Sequence, residues 1–397
     1  MDHFPIVQAL ARAALANPTD AVRRQIERLR DALQQAGEAD QAKALAGLLS
    51  KSSGMDLMTP SRLIRSAAML AGEELTSRTP LPVDKESANP LATILFSDAL
   101  PKTAPVLAGD LEQAVRVVLD EWARLDVLES AGVSPSRSCL IYGAPGTGKT
   151  QLALWMARQI GLPVVVARLD GLISSFLGTT ARNIGGLFGF AARYRCVLLL
   201  DEFDAVAKLR DDPQEVGEIK RVVNALLQNL DVRKEIGLTI GITNHEGLLD
   251  PAIWRRFDIQ LSIPRPTFDA RMRIAKAHAA PLEPKESTIK FLAWLSEGTT
   301  GAEIELLLKS LRKRVALAPE YQDSSALAAA RDFLALHSGR LDPARRRLVM
   351  GAEEQLAKAL AQDPQLDFST TETTEILGRS RKTVGRWINN PTRIAQE

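Results

Sequence analysis

Short apolar runs alternate with amphipathic stretches through the middle of the chain, from about residue 104 onward. Each run suits a buried parallel strand, and the stretches between the runs are long enough for the crossover helices that parallel strands require. The predicted strands are Cys139–Tyr142, Pro163–Ala167, Val197–Leu200, Leu238–Thr243 and Ile259–Ile263. This alternation predicts an α/β domain with a parallel sheet and flanking helices.

Both ends of the chain show a helical period instead. Val22, Ile26, Leu29 and Leu33 recur three or four positions apart, which predicts an amphipathic helix. Ser, Thr and Pro cluster over residues 76–90, as is typical of a linker. The predicted domains are a helical N-terminal domain at 1–75, a linker at 76–103, the α/β domain at 104–265, a helical segment at 266–318 and a helical C-terminal extension at 319–397.

Charge and composition narrow the class of protein. The chain has 397 residues, with 50 Lys and Arg against 48 Asp and Glu, so it is not a polycation as a whole. No apolar stretch approaches the roughly 18 residues of a membrane span, and the opening residues lack the basic start of a signal peptide. Cys139 and Cys196 fall in apolar runs, which predicts buried free thiols in a reducing compartment. We therefore expect a cytoplasmic protein without a membrane partner.

A glycine-rich loop follows the first predicted strand and precedes the helical stretch Gln151–Ile160. The loop satisfies the Walker A pattern in full with Gly143, Ala144, Pro145, Gly146, Thr147, Gly148, Lys149 and Thr150. Glycines let backbone N–H groups curl around phosphate oxygens, and the start of the helix adds its positive dipole end. In such loops the lysine reaches the β- and γ-phosphates and the hydroxyl ligates Mg²⁺. The loop therefore predicts a nucleotide-binding site.

Acidic residues at the end of Val197–Leu200 complete this site as a Walker B motif. The strand delivers Asp201 to the metal shell, and Glu202 can polarise the attacking water, which favours hydrolysis over passive binding. The chain has no Asn-Lys-x-Asp element that would read guanine, so ATP with Mg²⁺ is favoured over GTP. Asn244 either helps to hold the attacking water or simply ends the strand Leu238–Thr243 in a turn.

Two adjacent arginines, Arg255 and Arg256, precede the last predicted strand. Two such cations would be costly to bury without an anion. The γ-phosphate of a neighbouring subunit would be that anion, which makes both residues arginine-finger candidates, and ordinary surface salt bridges are the alternative. Fingers that act on a neighbour require a homo-oligomer, and we expect a hexamer.

Together these motifs resemble the AAA ATPases, the branch of the AAA+ superfamily with a second region of homology, over roughly Val106 to Lys313. The resemblance implies an AAA+ P-loop NTPase fold in which residues 266–318 form a helical lid. It also implies that Gly301 and Ala302 contribute to the nucleotide site at the start of a sensor 2 segment, with Glu303 where Asp is more usual.

Finer similarities suggest a subgroup and a partner. The paired arginines resemble the katanin and spastin branch. Residues 217–224 and 254–258 are similar to small bacterial AAA ATPases often encoded beside subtilisin-like proteases. His245 and Glu246 begin like a zinc-protease helix, but Leu249 stands where the second His would be, so we expect any peptidase to be a separate chain.

The resemblance also implies a protein substrate. Phe176 and Leu177 match the aromatic–apolar–Gly loop that faces the central pore of AAA unfoldases, where it would grip an extended polypeptide. The alternative is that Phe176 packs under the sheet. The acidic loop 210–218 is either a second pore loop or a solvated turn. We therefore expect a hexameric remodeller or unfoldase, with the N-terminal helices recruiting a substrate or partner.

The segment 370–390 supports a rival function. Its sequence pattern predicts one helix over Thr370–Leu377, a turn at Gly378 and a second helix over Arg381–Ile388, capped by Ser380. Basic residues able to neutralise DNA phosphates lie in or just after it, at Arg379, Arg381, Lys382, Arg386 and Arg393. A DNA-associated ATPase switch is thus the alternative to a remodeller, and a packed helical hairpin with a basic face is the structural alternative. A nucleotide-gated scaffold without turnover is least favoured, because Glu202 and the paired arginines are present.

Overall fold

The computed structural model describes residues 20–38, 40–46, 72–168, 172, 177–204, 216–233, 237–280, 282–317, 326–337, 339, 341–363 and 366–389. The chain divides into two units, Met1–Ala68 and Met69–Glu397. In the first unit the described residues form helix α1 (Asp20–Gln35) and a further helical segment at 40–46. Ile26 and Leu33, which belong to the predicted apolar stripe, are buried.

A six-stranded sheet forms the centre of the second unit. Its strands are β1 (Ala92–Leu95), β2 (Ser138–Tyr142), β3 (Val164–Ala167), β4 (Val197–Leu200), β5 (Leu238–Thr243) and β6 (Ile259–Ser262). They lie in the order β1-β3-β4-β5-β2-β6, and all neighbours are parallel except β1 and β3. Every residue of β4 and β5 is buried, as expected for central strands of a parallel sheet covered on both faces.

Strand β1 lies within residues 76–103, which the sequence assigned to a linker. It pairs antiparallel with β3, with Ala92 opposite Ala167 and Leu95 opposite Val164. The sheet therefore begins before the predicted boundary at residue 104. The strand could not be recognised from the sequence, because β1 has only four residues, pairs on one side only and fully buries only Ala92.

Helices cover both faces of the sheet. In chain order they are α2 (Gly109–Ala123), α3 (Leu125–Ser130), α4 (Lys149–Ile160), α5 (Leu177–Arg193), α6 (Val216–Val232) and α7 (Pro251–Trp254). Phe188 of α5 and Val222 of α6 share a core with Leu198 of β4. Helix α4 packs against β2 and β5 and buries Leu152 and Met156 completely. This packing fixes α4 at the carboxyl end of β2, where the glycine-rich loop lies.

The remaining described elements are helices. They are α8 (Phe268–Ala279), α9 (Glu286–Leu295), α10 (Gly301–Leu317), α11 (Ala326–Leu336), α12 (Pro343–Met350), α13 (Glu353–Ala361), α14 (Thr370–Leu377) and α15 (Arg381–Asn389). One apolar core joins them, from Leu292 in α9 through Phe333 in α11 to Val384 in α15. The predicted boundary between 266–318 and 319–397 therefore does not separate two cores, because residues on both sides of it belong to this one core.

Two further sequence expectations are tested by the fold. Cys139 and Cys196 are free and buried, which confirms that prediction, and burial raises the pKa of the Cys139 thiol to about 12. Among the helices that the structure describes, none combines the length and the apolar composition that crossing a membrane requires.

Candidate nucleotide-binding and hydrolysis site

The glycine-rich loop lies in close contact with two other segments of the chain. Gly143 has φ +143°, and a Cβ there would lie 2.3 Å from the backbone oxygen of Ile263, just after β6. A Cβ on Gly146 would lie 2.9 Å from the Thr300 hydroxyl, just before α10. The Ala302 N–H donates to the Gly146 carbonyl at 3.1 Å. Glycine is thus required for the approach of the loop to both segments, as well as for its conformation.

Lys149, at the first position of α4, is buried with its ammonium group held by its own loop. Its Nζ donates to the carbonyl oxygens of Gly143 and Ala144, both at 2.8 Å. Burial lowers the pKa of Lys149, and the charge of Asp201 opposes that shift. The lysine is therefore fixed beside the glycine-rich loop rather than extended into solvent.

The two residues predicted to hold Mg²⁺ lie side by side. Thr150 is in the first turn of α4, and Asp201 follows the last residue of β4. The Thr150 hydroxyl donates to Oδ2 of Asp201 at 2.9 Å. Strands β2 and β4 both border β5, so the segments at their carboxyl ends meet at one edge of the sheet. A hydroxyl and a carboxylate in contact are a donor set that suits a hard cation such as Mg²⁺.

Glu202 sits in an unusual backbone conformation. Its φ is +51°, in the left-handed region that non-glycine residues rarely adopt, and its side chain is exposed. The Glu202 N–H donates to Oδ1 of Asp201 at 2.9 Å, and the Phe203 N–H donates to the carbonyl oxygen of Ile242 in β5 at 2.9 Å. These hydrogen bonds hold the turn in place. A strained backbone conformation such as the positive φ of Glu202 is common at functional sites, where it fixes the direction of a side chain.

A cleft of about 700 Å³ brings most of the predicted residues together. Its lining includes Pro145, Gly146, Thr147, Gly148, Lys149, Thr150, Asp201, Glu202, Asn244, Gly301 and Ala302. Gly143 and Ala144 are not part of the lining and instead supply the two carbonyl oxygens that hold Lys149. Gly301 and Ala302, to which the resemblance assigned a role at the nucleotide site, line the same cleft as the glycine-rich loop.

The sequence did not identify several other residues of this cleft. The segment Thr103–Val106, together with Ile274, Ala277, His278 and Glu305 of α8 and α10, also lines it. None of these residues belongs to a recognisable motif, and their contribution depends on how the helices fold back over the loop. Thr300 and Glu303, which flank the lining residues Gly301 and Ala302 without lining the cleft themselves, do carry a sequence signal, because Thr-x-x-Glu before a helix is typical of a capping box. Oε2 of Glu303 accepts from the N–H of Thr300 at 2.8 Å and so fixes the start of α10.

The paired arginines differ from each other in this structure. Arg256 is half-buried, and its Nε lies 3.0 Å from Oδ2 of Asp231 in α6, so it forms the surface salt bridge that was the alternative interpretation. Arg255 is exposed and has no ion pair with any of the residues described. Neither arginine lines the cleft. Within the part of the chain that the structure describes, Arg256 therefore has an ionic partner and Arg255 has none.

The segment around Arg255 is tied to both nucleotide motifs. Trp254 packs edge-on against Tyr142, which precedes Gly143, with ring centroids 5.0 Å apart. Phe257 packs edge-on against Phe203, which follows Glu202, at 6.0 Å. Oδ2 of Asp258 accepts from the N–H groups of Arg137 and Ser138 at 3.0 and 3.1 Å. The aromatic residues that flank the arginines thus connect them to the ends of β2 and β4.

The predicted pore residues are only partly covered by the structure. Phe176 lies outside the described residues, as does most of the loop 210–218. Leu177 is the first residue of α5, and its backbone alone is described. The start of α5 is held by Thr179, whose hydroxyl donates to Oε1 of Glu86 at 2.9 Å. The pore assignment therefore stays a prediction.

Comparison with known proteins agrees with this geometry. Residues 139–265 match the model of the "ATPase family associated with various cellular activities (AAA)". An "Uncharacterized AAA family ATPase y4kL" from Sinorhizobium fredii is 46% identical over 155 residues, 38% of this chain and 47% of that protein. A "Proteasome-activating nucleotidase" from Methanothermobacter thermautotrophicus is 30% identical over 240 residues, 57% of this chain and 58% of that protein. The "26S proteasome subunit RPT4" of Saccharomyces cerevisiae is 33% identical over 187 residues, 45% of this chain and 43% of that protein.

The matches define how far the likeness extends. The family model covers about a third of the chain, and the chain spans about half the length of each of these relatives. The matched region includes the glycine-rich loop, both acidic residues, Asn244 and both arginines. The likeness to the AAA ATPase family therefore extends over residues 139–265 of this chain.

Proposed function

We propose that the protein hydrolyses ATP as a hexameric ring and uses that energy to remodel or unfold protein substrates. The observation that carries the proposal is that the residues suited to hydrolysis lie together in each subunit, whereas one exposed arginine lies apart from them. The phosphate loop, Thr150, Asp201 and Glu202 converge in one cleft, whereas Arg255 is exposed and outside it. Such a cleft holds the parts of a phosphoryl-transfer site except a second cation, besides Lys149, for the transition state, which a neighbouring Arg255 would supply.

Each residue of the cleft has a role that its contacts support. Lys149 would bind the β- and γ-phosphates, and Thr150 and Asp201 would hold Mg²⁺. The metal would neutralise charge on the phosphate oxygens. In the described part of the chain, no group of three or more His, Cys, Asp or Glu side chains could hold a metal ion. Phosphate and water oxygens would therefore complete the shell, as is usual for Mg²⁺.

Hydrolysis itself would depend on two further residues. Glu202 would accept a proton from the attacking water, and Asn244, at the end of β5, would help to orient that water. Apolar groups of Val106, Ile274 and Ala277 in the same lining would surround the base of ATP. The volume of the cleft falls in the range usual for sites that bind small molecules.

The choice of a protein substrate rests on sequence likeness. The two proteasome-related relatives are named for a proteasome-activating nucleotidase and for a subunit of the 26S proteasome. Phe176 and Leu177, ahead of α5, would line the pore of the ring and grip the polypeptide. A separate protease that receives the substrate, and recruitment by the N-terminal helices, belong to the same proposal.

Mixing two inactive variants tests whether the arginine acts between subunits. Glu202→Gln should bind ATP without hydrolysing it, and Arg255→Ala should lack the cation that completes the neighbouring site. In a ring assembled from equal amounts of both, a site is complete where an Arg255→Ala subunit borders a Glu202→Gln subunit on the correct side. Random assembly of a cyclic ring gives about a quarter of sites in this arrangement, so we expect about a quarter of the wild-type ATPase rate.

Asp231→Ala is the matched control, because it removes the partner of Arg256 without touching Arg255. Mixing Glu202→Gln with wild-type protein gives the reference for ring assembly. If the mixture of Glu202→Gln and Arg255→Ala has no more activity than either variant alone, although both assemble, Arg255 does not act between subunits and the proposal fails.

A further inference from the structure

Helices α14 and α15 form a unit that the proposed ATPase does not use. A capping box begins α14, with Ser369 accepting from the N–H of Glu372 at 3.1 Å. Gly378, at φ +64°, ends α14 in the left-handed conformation. The Ser380 hydroxyl accepts from the N–H of Thr383 at 3.2 Å and begins α15. The two helices are thus joined by a tight, well-defined turn.

One side of α15 is buried and the other is basic. Val384 is fully buried in the core that includes Ile376 and Leu377 of α14. Arg381, Lys382, Arg386 and Asn389 are exposed, at spacings of one, five and eight residues, and so share one face of the helix. Within this face a Cβ on Gly385 would meet no atom within 4 Å, so the face is open to close approach.

The acidic side chains of the neighbouring helices do not neutralise this face. All four acids of α13 and α14 form ion pairs with other cations: Glu353 with Arg379 at 2.7 Å, Glu354 with Lys358 at 2.9 Å, Glu372 with Lys290 at 2.9 Å and Glu375 with Lys285 at 3.3 Å. Helix α15 has no acid of its own. Among the residues described, Arg381, Lys382 and Arg386 have no ion pair, so three positive charges stand on one face of a short helix.

We propose that α15 binds double-stranded DNA, with its exposed face in the major groove. An α-helix with its side chains is about 10–12 Å across, so the major groove, about 12 Å wide, admits it. The nine residues of α15 would extend about 13.5 Å along the groove. In helix-turn-helix units the first turn of the second helix reaches the base edges, which is where Arg381 and Lys382 lie. Arg386, one turn later, would contact a phosphate. This inference does not depend on the proposed ATPase activity.

Salt dependence of binding by the full chain is the first test. With one phosphate charge neutralised by each of the three cations, including the two that reach base edges, the slope of log K against log salt should be about −2.7, so affinity should fall about 40-fold between about 50 and about 200 mM salt. Changing Arg381 and Lys382 together to Ala should reduce that fall to about threefold. Changing Arg78 and Lys85 together to Ala is the control, since both are exposed cations elsewhere and the net charge changes equally. The control should keep the steep dependence in a fluorescence anisotropy titration of a labelled duplex.

A pair of variants at Gly385 separates charge from folding. Gly385→Glu and Gly385→Gln have the same shape and enter open space, so both should fold. Gly385→Glu places a carboxylate among the three cations and should bind duplex at least about tenfold more weakly than Gly385→Gln. The ATPase rate of both variants should equal that of the wild type, so failure of DNA binding is distinguishable from failure of the ATPase proposal.

Three results would overturn the inference. The first is absence of duplex binding at about 50 mM salt. The second is equal affinity for the two Gly385 variants. The third is equal affinity for duplex DNA, for single-stranded DNA of the same length and for polyglutamate, which would indicate a general polyanion surface, or an acidic protein partner, rather than a helix in a groove.

Discussion

Replacing Gly143 with Ala should destabilise the α/β domain by an amount that can be worked out from the backbone conformation of the residue and one close contact. The residue has φ +143°, a region that only glycine adopts readily, and holding alanine there costs roughly 1–3 kcal/mol. Its Cβ would lie 2.3 Å from the Ile263 oxygen, so backbone must move, at a further cost of roughly 1–3 kcal/mol. The reduced freedom of the unfolded chain returns only about 0.4–1 kcal/mol. We expect a net loss of about 3–4 kcal/mol.

Gly132→Ala is the matched control because it isolates the backbone term. Gly132 has φ +68°, and a Cβ there would meet nothing within 4 Å. Its cost should be about 1 kcal/mol, the penalty of the left-handed conformation less the unfolded-state gain. Urea unfolding of both variants, followed by far-UV circular dichroism, measures the difference. Because the Gly143 carbonyl holds Lys149, only Gly143→Ala should also weaken ATP binding.

The result that refutes this reasoning is a Gly143→Ala variant no less stable than Gly132→Ala. The contact with Ile263 would then not constrain the loop, and the glycine would be needed for conformation alone. A variant that is destabilised but binds ATP with unchanged affinity would show that Lys149 does not depend on the position of the Gly143 carbonyl.

Two other predictions concern the pore and the C-terminal helices. Phe176→Ala should keep the ATPase rate and lose unfolding of a tagged model substrate, because grip is separate from hydrolysis; normal unfolding by a variant with normal ATPase would remove Phe176 from the pore. A hydrogen bond from Arg379 holds the pKa of Glu353 below its ordinary value of 4.5. The folded form therefore binds fewer protons than the unfolded form at this residue, and stability is lost as the pH falls below about 4.5. Thermal unfolding between about pH 6 and about pH 3 should show a smaller loss for Glu353→Gln than for the control Glu354→Gln, and identical profiles would contradict this.

The parts of the fold that could be predicted are those with a local signal. Strands β4 and β5 are buried on both faces and therefore appear in the sequence as continuous apolar runs. The glycine-rich loop has the residue pattern that binding of phosphate by backbone N–H groups requires. Asp201 and Glu202 could be assigned because they directly follow such a strand. Buried thiols at Cys139 and Cys196 were predictable for the same reason.

The features that escaped prediction depend on contacts between distant segments. Strand β1 pairs on one side only, so its four residues carry almost no periodicity. The pairing of Arg256 with Asp231 distinguishes it from Arg255, and nothing in two adjacent arginines reveals which one a distant helix will engage. Likewise, Ile274 of α8 and Val106, which precedes α2, enter the cleft only because segments distant in sequence fold over the glycine-rich loop.

The core that unites α8 to α15 has a consequence for how signals could pass through the protein. Close-packed interiors move as bodies rather than deform, so a rotation of α10 against the glycine-rich loop would carry α14 and α15 with it. Gly301 and Ala302 of this body line the cleft, and Arg381 is exposed on α15, its last helix. If nucleotide changes the affinity of α15 for its ligand by some factor, thermodynamic reciprocity requires that ligand to change nucleotide affinity by the same factor. The helical body would then couple the affinity for nucleotide to the affinity for the ligand of α15, in both directions.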